Sequence, residues 1–224
     1  MPKATAWNFA PLPDMGQPYG AIAAKDLKEQ RNYPMMYHHV VSKTTLSKLW
    51  RDTVANTTIS ETARFYLKHM QAHAAQYTAM IRPPGDIHPT DVAKCAELAE
   101  GLWRGTLVHA PDGKRLDAFD AFWTFYMWLP GNLFEGPRNR ADDPKDAIDA
   151  NAIRIVGTTQ YTLLADLQTA IDAYGQTPKD QTRAKTAWEA MRKMAASDYR
   201  KPRPFNAKHW TWVSGENGPR IDQG

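Results

Sequence analysis

The sequence of 224 residues contains a single cysteine, and this scarcity excludes two classes of site. Cys95 cannot form an intramolecular disulfide framework or supply two thiolates to a metal, and we expect the chain to act in a reducing compartment. In DVAKCAELAE, a small buried helix residue is its expected role. Several common motifs are also missing, since no Walker loop, GxGxxG, HExxH or GxSxG segment occurs. Any catalysis must therefore use histidine, asparagine and acidic side chains.

Long hydrophobic runs are missing as well. The most apolar stretch, AFWTFYMWLP at 121–130, is about half of the roughly 20 residues that a membrane-spanning helix needs. The first 20 residues contain four prolines and lack the apolar core of a secretory signal, so they predict an extended arm. We expect the protein to be made in the cytoplasm and to need a dedicated secretion system if it leaves the cell.

Composition and periodicity predict a single helical domain. The chain is 42% hydrophobic and 23% charged, which is typical of a globular protein. LDAFDAFWTFYMWLP, residues 116–130, is apolar nearly all round and predicts a helix at the centre of the fold. We predict a mainly α fold with a small β element (α+β), with an extended arm at 1–20 and one domain at 21–224 that ends in a basic helix and tail.

Other helices follow from apolar residues that recur every three or four positions. Two are predicted at 58–81 and 89–103, and a turn is predicted at 109–116. A further helix carries Tyr161, Leu164, Leu167, Ile171 and Tyr174 and is expected to end at Gly175. Thr177 and Pro178 are predicted to begin the basic helix, as its cap and its first-turn proline.

Positive charge is concentrated towards the C-terminus. Nine basic and three acidic residues lie between 178 and 208, whereas the whole chain has a net charge of only +4. Aromatic residues lie in or just after this stretch, and basic residues interleaved with aromatics suit phosphate contact and base stacking. The same pattern suits a solvated helix face with its tryptophans in the core. The aromatic residues are Trp188, Tyr199, Trp210 and Trp212.

Two stretches concentrate side chains that could carry chemistry. YHHVVSK places His38 and His39 next to each other before a predicted helix. WLPGNLFEGPRNRADDP, residues 128–144, places polar and charged residues beside the predicted central helix. Pro130 and Gly131 favour a tight turn there, and Asn132 is expected to bond to the backbone just after it.

Together these stretches resemble the HNH, or His-Me finger, nucleases, notably toxin domains of bacterial competition systems. Adjacent histidines that end a strand and precede VVSK and a helix resemble the His-His signature, and GNLFEGPRNR resembles the Asn-Leu segment and following helix of that finger. The matched stretches cover about two dozen residues, and 93 positions (132 minus 39) separate His39 from Asn132. The resemblance therefore implies a ββα-metal-like finger that contains a helical insertion.

The resemblance implies a role for each matched residue. His38 would bind a divalent cation such as Mg, Mn, Zn or Ni, and Asn139 would occupy the position of the last metal ligand. His39 would be the general base that deprotonates water, and Asn132 would hold the segment that carries the histidines. This division is chemically sound, because a cation neutralises charge on the phosphorane while a histidine accepts the proton.

Basic residues complete the predicted site. Arg140 is assigned to the catalytic centre, and either it or Arg138 could bind a phosphate group bidentately. The remaining candidates for substrate binding are Lys43, Arg192 and Lys193.

His69 and His73 form an alternative metal site. Their spacing in KHMQAH sets both imidazoles on one face of a predicted helix, one turn apart. Some colicin-type nucleases resemble this arrangement, with a His-x-x-x-His after the paired histidines. The other interpretation is that both histidines are partly exposed at the margin of an amphipathic helix.

Three functions fit the sequence. The first is a metal-dependent nuclease, with DNA as the substrate that the resemblance favours; it would be an antibacterial toxin effector, exported into the cytoplasm of a target cell and paired with an acidic immunity protein. The second is a metal-independent ribonuclease toxin that uses His39 or His109 with arginines. The third is a non-enzymatic adaptor whose aromatic-rich surface binds another protein.

Overall fold

The structure is a computed structural model that describes residues 19, 21–28, 30–55, 63, 66, 68, 69, 72, 117–196 and 201–224. The predicted helix at 58–81 lies mostly outside these ranges, and the helix at 89–103 and the turn at 109–116 lie wholly outside them. The same holds for four residues discussed above, His73, Cys95, His109 and Tyr199.

The described residues form five α-helices and three antiparallel sheets of two strands each, so the predicted mainly α fold with a small β element is confirmed. No helix within the described ranges is both long and apolar enough to cross a bilayer. The strands are β1 (Lys25–Leu27), β2 (Gln30–Tyr33), β3 (Met35–His39), β4 (Leu133–Pro137), β5 (Trp210–Thr211) and β6 (Arg220–Ile221). The helices are α1 (Lys43–Ala55), α2 (Asp117–Met127), α3 (Ile153–Val156), α4 (Thr158–Gln176) and α5 (Gln181–Ala196).

The core is built around α2, as the apolar run at 116–130 predicts. Every described side chain of this helix, from Phe122 to Met127, is buried. Trp50 of α1 lies against it, and its indole contacts rings from two other helices in edge-on or tilted geometry, which suits the aromatic quadrupole. Its ring centroid lies 5.4 to 6.3 Å from those of Phe122, Trp123, Tyr126 and Trp188.

Trp188 of α5 belongs to this core. The side chain is 1% exposed, and its indole N–H donates a hydrogen bond of 3.0 Å to the Thr53 hydroxyl. Trp210 is also 1% exposed. These two tryptophans therefore follow the second interpretation of the basic stretch, in which the aromatic rings pack inside and only the charged residues face solvent.

The structure confirms the predicted helix around 161–174 and corrects the start of the helix that follows. Leu164, Leu167, Ile171 and Tyr174 are fully buried in α4. Thr177 ends α4, because its N–H bonds to the Tyr174 carbonyl at 2.9 Å. Asp180 is the true cap of α5. Its carboxylate accepts hydrogen bonds from the backbone N–H groups of Thr182 at 2.9 Å and Arg183 at 3.2 Å. A carboxylate both satisfies these donors and interacts favourably with the helix dipole.

Candidate functional site

The two chemically rich stretches come together in the fold. Strands β3 and β4 pair antiparallel over five residues each, with His39 opposite Leu133 and Met35 opposite Pro137. The strand that ends in the paired histidines therefore lies directly beside the GNLFEGP segment.

Asn132 joins the two stretches through its side chain. It is fully buried, its amide oxygen accepts from the Val41 N–H at 2.8 Å, and its amide nitrogen donates to the Val41 carbonyl at 2.8 Å. The Asn132 carbonyl also accepts from the Val40 N–H at 2.9 Å. The expected local bond to the backbone just after Asn132 is therefore corrected, because the amide reaches across to the segment that follows His39.

A buried glutamine that sequence reasoning missed supports the same turn. The side chain of Gln160, in α4, donates to the Gly131 carbonyl at 2.7 Å and accepts from the Arg203 guanidinium at 2.9 Å. Arg203 also donates to the Val156 carbonyl at 3.1 Å. Only the fold brings these residues together, so no pattern along the chain could have identified them.

His38 lies in a closed aromatic environment. Its side chain is buried, Nε2 is 2.9 Å from the Pro137 carbonyl, and its ring stacks on Phe134 with centroids 5.3 Å apart. A carbonyl only accepts, so Nε2 carries the proton and Nδ1 is the nitrogen with a lone pair. Burial lowers the pKa of His38 to about 4, and the positive charge of Arg140 acts in the same direction. The imidazole is therefore neutral near pH 7.

Gly136 is required beside this ring. A Cβ atom at this position would lie 2.8 Å from a Trp210 ring carbon and 3.0 Å from the His38 ring. Both neighbours are rigid rings within a packed cluster, so neither can yield easily. The glycine of the GNLFEGP segment is thus explained by the close packing of His38 and Trp210.

His39 has a different set of neighbours, because successive side chains of a strand point to opposite faces. Its Nε2 is 2.9 Å from the Met127 carbonyl, at the C-terminal end of α2, and its ring centroid is 4.5 Å from that of Trp128. Nε2 must donate to this carbonyl, so Nδ1 is again the basic nitrogen. Burial lowers the pKa of His39 to about 3, and the charge of Lys43 adds to this effect. Unlike His38, however, His39 is partly exposed.

Lys43 places a positive charge near His39. Its Nζ lies over the Trp128 ring, 5.2 Å from the centroid, and it is the first residue of α1. The first turn of α1 contains no acidic residue. Its start is capped within the protein, because the Thr45 N–H donates to the Ser42 hydroxyl at 3.1 Å and the Thr44 hydroxyl donates to the Asp146 carboxylate at 2.6 Å. We refer to His39, Lys43 and Trp128 as the His39 site.

Arg140 does not have the role expected of it. Its side chain is 1% exposed, and its donors are used within the protein: Nη1 is 2.5 Å from Asp149 and Nε is 3.0 Å from Asp142. Its guanidinium also lies over Phe134 and Trp210, 5.6 and 5.7 Å from the ring centroids. An arginine enclosed in this way stabilises the fold and is not placed to bind a phosphate from solvent, which corrects its assignment to the catalytic centre.

The Asp142 carboxylate and the Asp149 backbone connect the loop at 138–149 to β6 and to the segment that follows β3. Asp142 accepts from the Ile221 N–H of β6 and the Asn151 amide, each at 3.1 Å, while the Asp149 N–H donates to the Val40 carbonyl at 2.8 Å. Burial raises the pKa of Asp142, but hydrogen bonds from Arg140, Ile221 and Asn151 outweigh it and bring the pKa below its ordinary value. For Asp149, burial dominates and raises the pKa despite Arg140.

Arg138 and Asn139 are exposed and lie at the other end of the strand pair from His39. The Arg138 N–H donates to the Pro34 carbonyl at 2.8 Å, and the Asn139 carbonyl accepts from the Tyr33 hydroxyl at 3.1 Å. Four residue steps along a strand span about 13 Å. The structure therefore brings Asn132 to His39 but leaves Asn139 and Arg138 away from it.

The predicted metal ligands do not form a complete site. Within the described ranges, no group of three or more His, Cys, Asp or Glu side chains is placed to hold a metal ion. His38 has one nitrogen with a lone pair, and Asn139 is exposed beyond the strand pair. We assign no chemical step to a metal.

The alternative metal site can be described only in part. His69 is partly buried, and its Nε2 lies 3.2 Å from the Ala195 carbonyl of α5. The other predicted ligand, His73, lies outside the described residues. Of the two substrate-binding candidates on α5, Arg192 forms a bidentate pair with Glu189, with distances of 2.5 and 3.1 Å, whereas Lys193 is exposed.

The His39 site is therefore the best candidate for a functional site among the described residues. It combines a partly exposed neutral imidazole and an adjacent lysine, on a strand that Asn132 holds in place. No protein-family model, curated protein or solved structure matches this chain.

Proposed function

We propose that this protein is a nuclease that hydrolyses phosphodiester bonds, with His39 as its general base. The observation that supports the proposal best is the pairing of β3 with β4, in which Asn132 holds the Val40–Val41 segment next to His39. The resemblance to HNH nucleases called for this convergence across 93 positions of the sequence, with Asn132 in this holding role.

The hydrogen bond to Met127 prepares His39 for this reaction. Nε2 donates to the carbonyl, which orients the ring and leaves the Nδ1 lone pair for a water molecule. The water oxygen forms a bond to phosphorus, its proton passes to Nδ1, and the bond from phosphorus to the leaving oxygen breaks. The leaving oxygen takes a proton from solvent.

Burial keeps the His39 imidazole neutral in the resting enzyme, with a pKa of about 3 that makes it a weak base. A phosphodiester anion beside the ring favours the protonated form and raises this pKa. Proton transfer therefore becomes more favourable when the substrate is bound.

Lys43 supplies positive potential for the phosphate. A preorganised cation stabilises the charge that develops on the phosphoryl oxygens without the cost of reorienting water. Trp128 fixes the lysine over its ring and also contacts His39, so the base and the cation share one rigid support.

The resemblance extends the proposal beyond the site. It implies a divalent cation as cofactor and DNA as the preferred substrate. It also implies an antibacterial toxin delivered by a dedicated secretion system, whose cognate immunity protein would offer an acidic surface to the net charge of +4. Each of these parts rests on the resemblance and can be tested separately.

The adaptor alternative finds little support in the described ranges. An aromatic binding surface would expose its tryptophans, but most of those described are buried. The exposed fraction is 1 to 5% for Trp50, Trp123, Trp128, Trp188 and Trp210. Val213 is the one exposed large hydrophobic side chain among the described residues.

Cleavage of plasmid DNA by the purified chain tests the proposal. Each of Mg, Mn, Zn and Ni is supplied in turn, and His39→Ala is compared with the parent and with His209→Ala, a histidine outside the His39 site. We expect His39→Ala to lose roughly a hundred- to ten-thousand-fold in rate, because it removes a general base, and His209→Ala to retain activity.

Equal rates for His39→Ala and the parent would remove His39 from the proposed role, provided that circular dichroism shows both to be folded. EDTA and an RNA substrate separate the two enzymatic hypotheses. Loss of cleavage in EDTA supports the metal-dependent nuclease, whereas RNA cleavage that persists in EDTA supports the metal-independent ribonuclease.

A further inference from the structure

A basic groove lies between α5 and the segment that contains Tyr66 and His69. Its volume is about 540 Å³, which is within the range of roughly 300 to 1,000 Å³ usual for ligand sites. Among the described residues, those that line the groove are Lys68, His69, Ala72, Lys185, Glu189 and Arg192.

Helical geometry explains how α5 forms one wall of this groove. Lys185, Glu189 and Arg192 are separated by four and three positions, so they share one face of the helix. The neighbouring face carries Trp188 and Met191, which are buried in the core. The polar wall is therefore held in place by the packing of the helix behind it.

The opposite wall is anchored at two points. The Tyr66 ring packs against Trp188 with centroids 5.3 Å apart, and His69 Nε2 lies 3.2 Å from the Ala195 carbonyl. Lys68 and Ala72, which follow Tyr66 on this segment, are exposed and face the groove. Tyr66 and His69 therefore both contact α5 beside the groove.

Basic side chains outnumber acidic ones among the described residues of the lining. Lys68, Lys185 and Arg192 carry three positive charges there, and Glu189 carries one negative charge. Hydrogen bonds from Arg192 hold the pKa of Glu189 below its ordinary value, so this carboxylate is ionised near neutral pH. The described lining residues therefore sum to a charge of +2, with His69 as a further polar group.

We propose that this groove binds the phosphate backbone of a nucleic-acid strand. The proposal rests on the nuclease function, because a phosphodiester substrate needs contacts beyond the scissile bond. Amino and guanidinium groups on two walls neutralise successive phosphates, and they do so without reading sequence. Arg192 is already oriented by Glu189 and presents a planar cation to the groove.

Fluorescence anisotropy with a labelled DNA duplex tests the groove. The measurements use the His39→Ala chain, so that the DNA is not cleaved, at several salt concentrations. We expect Lys68→Gln/Lys185→Gln to weaken binding roughly tenfold at moderate salt. The slope of log K against log salt should fall by about 2, because each of the two lysines neutralises one phosphate.

Two comparisons make the test specific. Lys25→Gln/Arg31→Gln removes the same charge from exposed positions on β1 and β2 and should leave the affinity close to that of the parent. Glu189→Gln removes a carboxylate from the groove and releases Arg192, so it should tighten binding several-fold. If these residues affected only the stability of the fold, the lysine variant and Glu189→Gln would not change the DNA affinity in opposite directions.

The groove and the nuclease function can fail separately. If the parent chain binds DNA through Lys68 and Lys185 but does not cleave it, the groove proposal is supported and the nuclease proposal is contradicted. If both double variants bind DNA equally well, the groove proposal is overturned, whatever the parent cleaves.

Discussion

Asn132 shows how one buried polar side chain can connect two distant segments. An amide without exposure to solvent is tolerated only if its donor and acceptor are satisfied, and here both bonds go to the backbone of Val41. Val41 is itself fully buried. Its backbone groups therefore depend on this one side chain.

Substitution of Asn132 by alanine should destabilise the protein. Two hydrogen bonds disappear, and the Val41 N–H and carbonyl are left buried without these partners, at a cost of about 1 to 3 kcal/mol for each group. We expect the free energy of unfolding, measured in urea, to fall by roughly 2 to 5 kcal/mol.

Asn139→Ala is the matched control for stability, because Asn139 is of the same residue type but exposed. Its free energy of unfolding should change by less than about 0.5 kcal/mol. If the two variants proved equally stable, the bonds between Asn132 and Val41 would not hold the strand pair together.

Capping residues determine where α4 ends and α5 begins, and the sequence predicts these boundaries only in part. The predicted helix at 161–174 is confirmed, because its apolar residues share one face of α4. The predicted start of α5 was wrong, because Thr177 and Asp180 are both good caps and lie three positions apart. The choice between them depends on where α4 ends, since the Thr177 N–H bonds back to Tyr174.

Alanine substitutions at the two positions distinguish these caps. Asp180→Ala should lower the free energy of unfolding by about 1 kcal/mol, because two N–H groups at the start of α5 lose their acceptor. Thr177→Ala should have a smaller effect in the same urea titration. The reverse order would place the start of α5 at Thr177 after all.

At the scale of the whole molecule, two histidines are held neutral within the fold. Burial lowers the pKa of His38 to about 4 and that of His39 to about 3, whereas a histidine in an unfolded chain titrates near 6.5. Below pH 6.5 the unfolded chain therefore binds more protons than the folded chain. Linkage then requires the folded state to lose stability as the pH falls from 6.5 towards 4.

The free energy of unfolding should thus be lower at pH 5 than at pH 7. A shift from 6.5 to about 4 predicts a loss of about 2 kcal/mol from His38 alone at pH 5, and His39 acts in the same direction. His38→Gln keeps a donor for Pro137 but cannot be protonated, so its stability should fall less between these pH values.

Urea titrations of the parent and of His38→Gln at pH 7 and pH 5 measure how much free energy of unfolding each protein loses. Because the parent and the variant share Asp142 and Asp149, the contribution of these carboxylates cancels in the comparison. Equal losses in the two chains would mean that His38 does not titrate with a lowered pKa.

The sequence by itself determined the class of fold and the position of the central helix. Apolar periodicity is a local property, so it predicted α4 and the buried run that ends α2. The resemblance to HNH nucleases also indicated that Asn132 would hold the histidine-bearing segment, because that role depends on residue types at matched positions.

Only the tertiary structure decided the environment of each functional group. The burial of His38, the carbonyl bonded to His39 and the Trp210 ring against Arg140 all involve other segments of the chain. The basic groove likewise combines α5 with residues more than 100 positions earlier in the sequence. Burial and electrostatic interactions depend on distance in space, and only the packed chain establishes those distances.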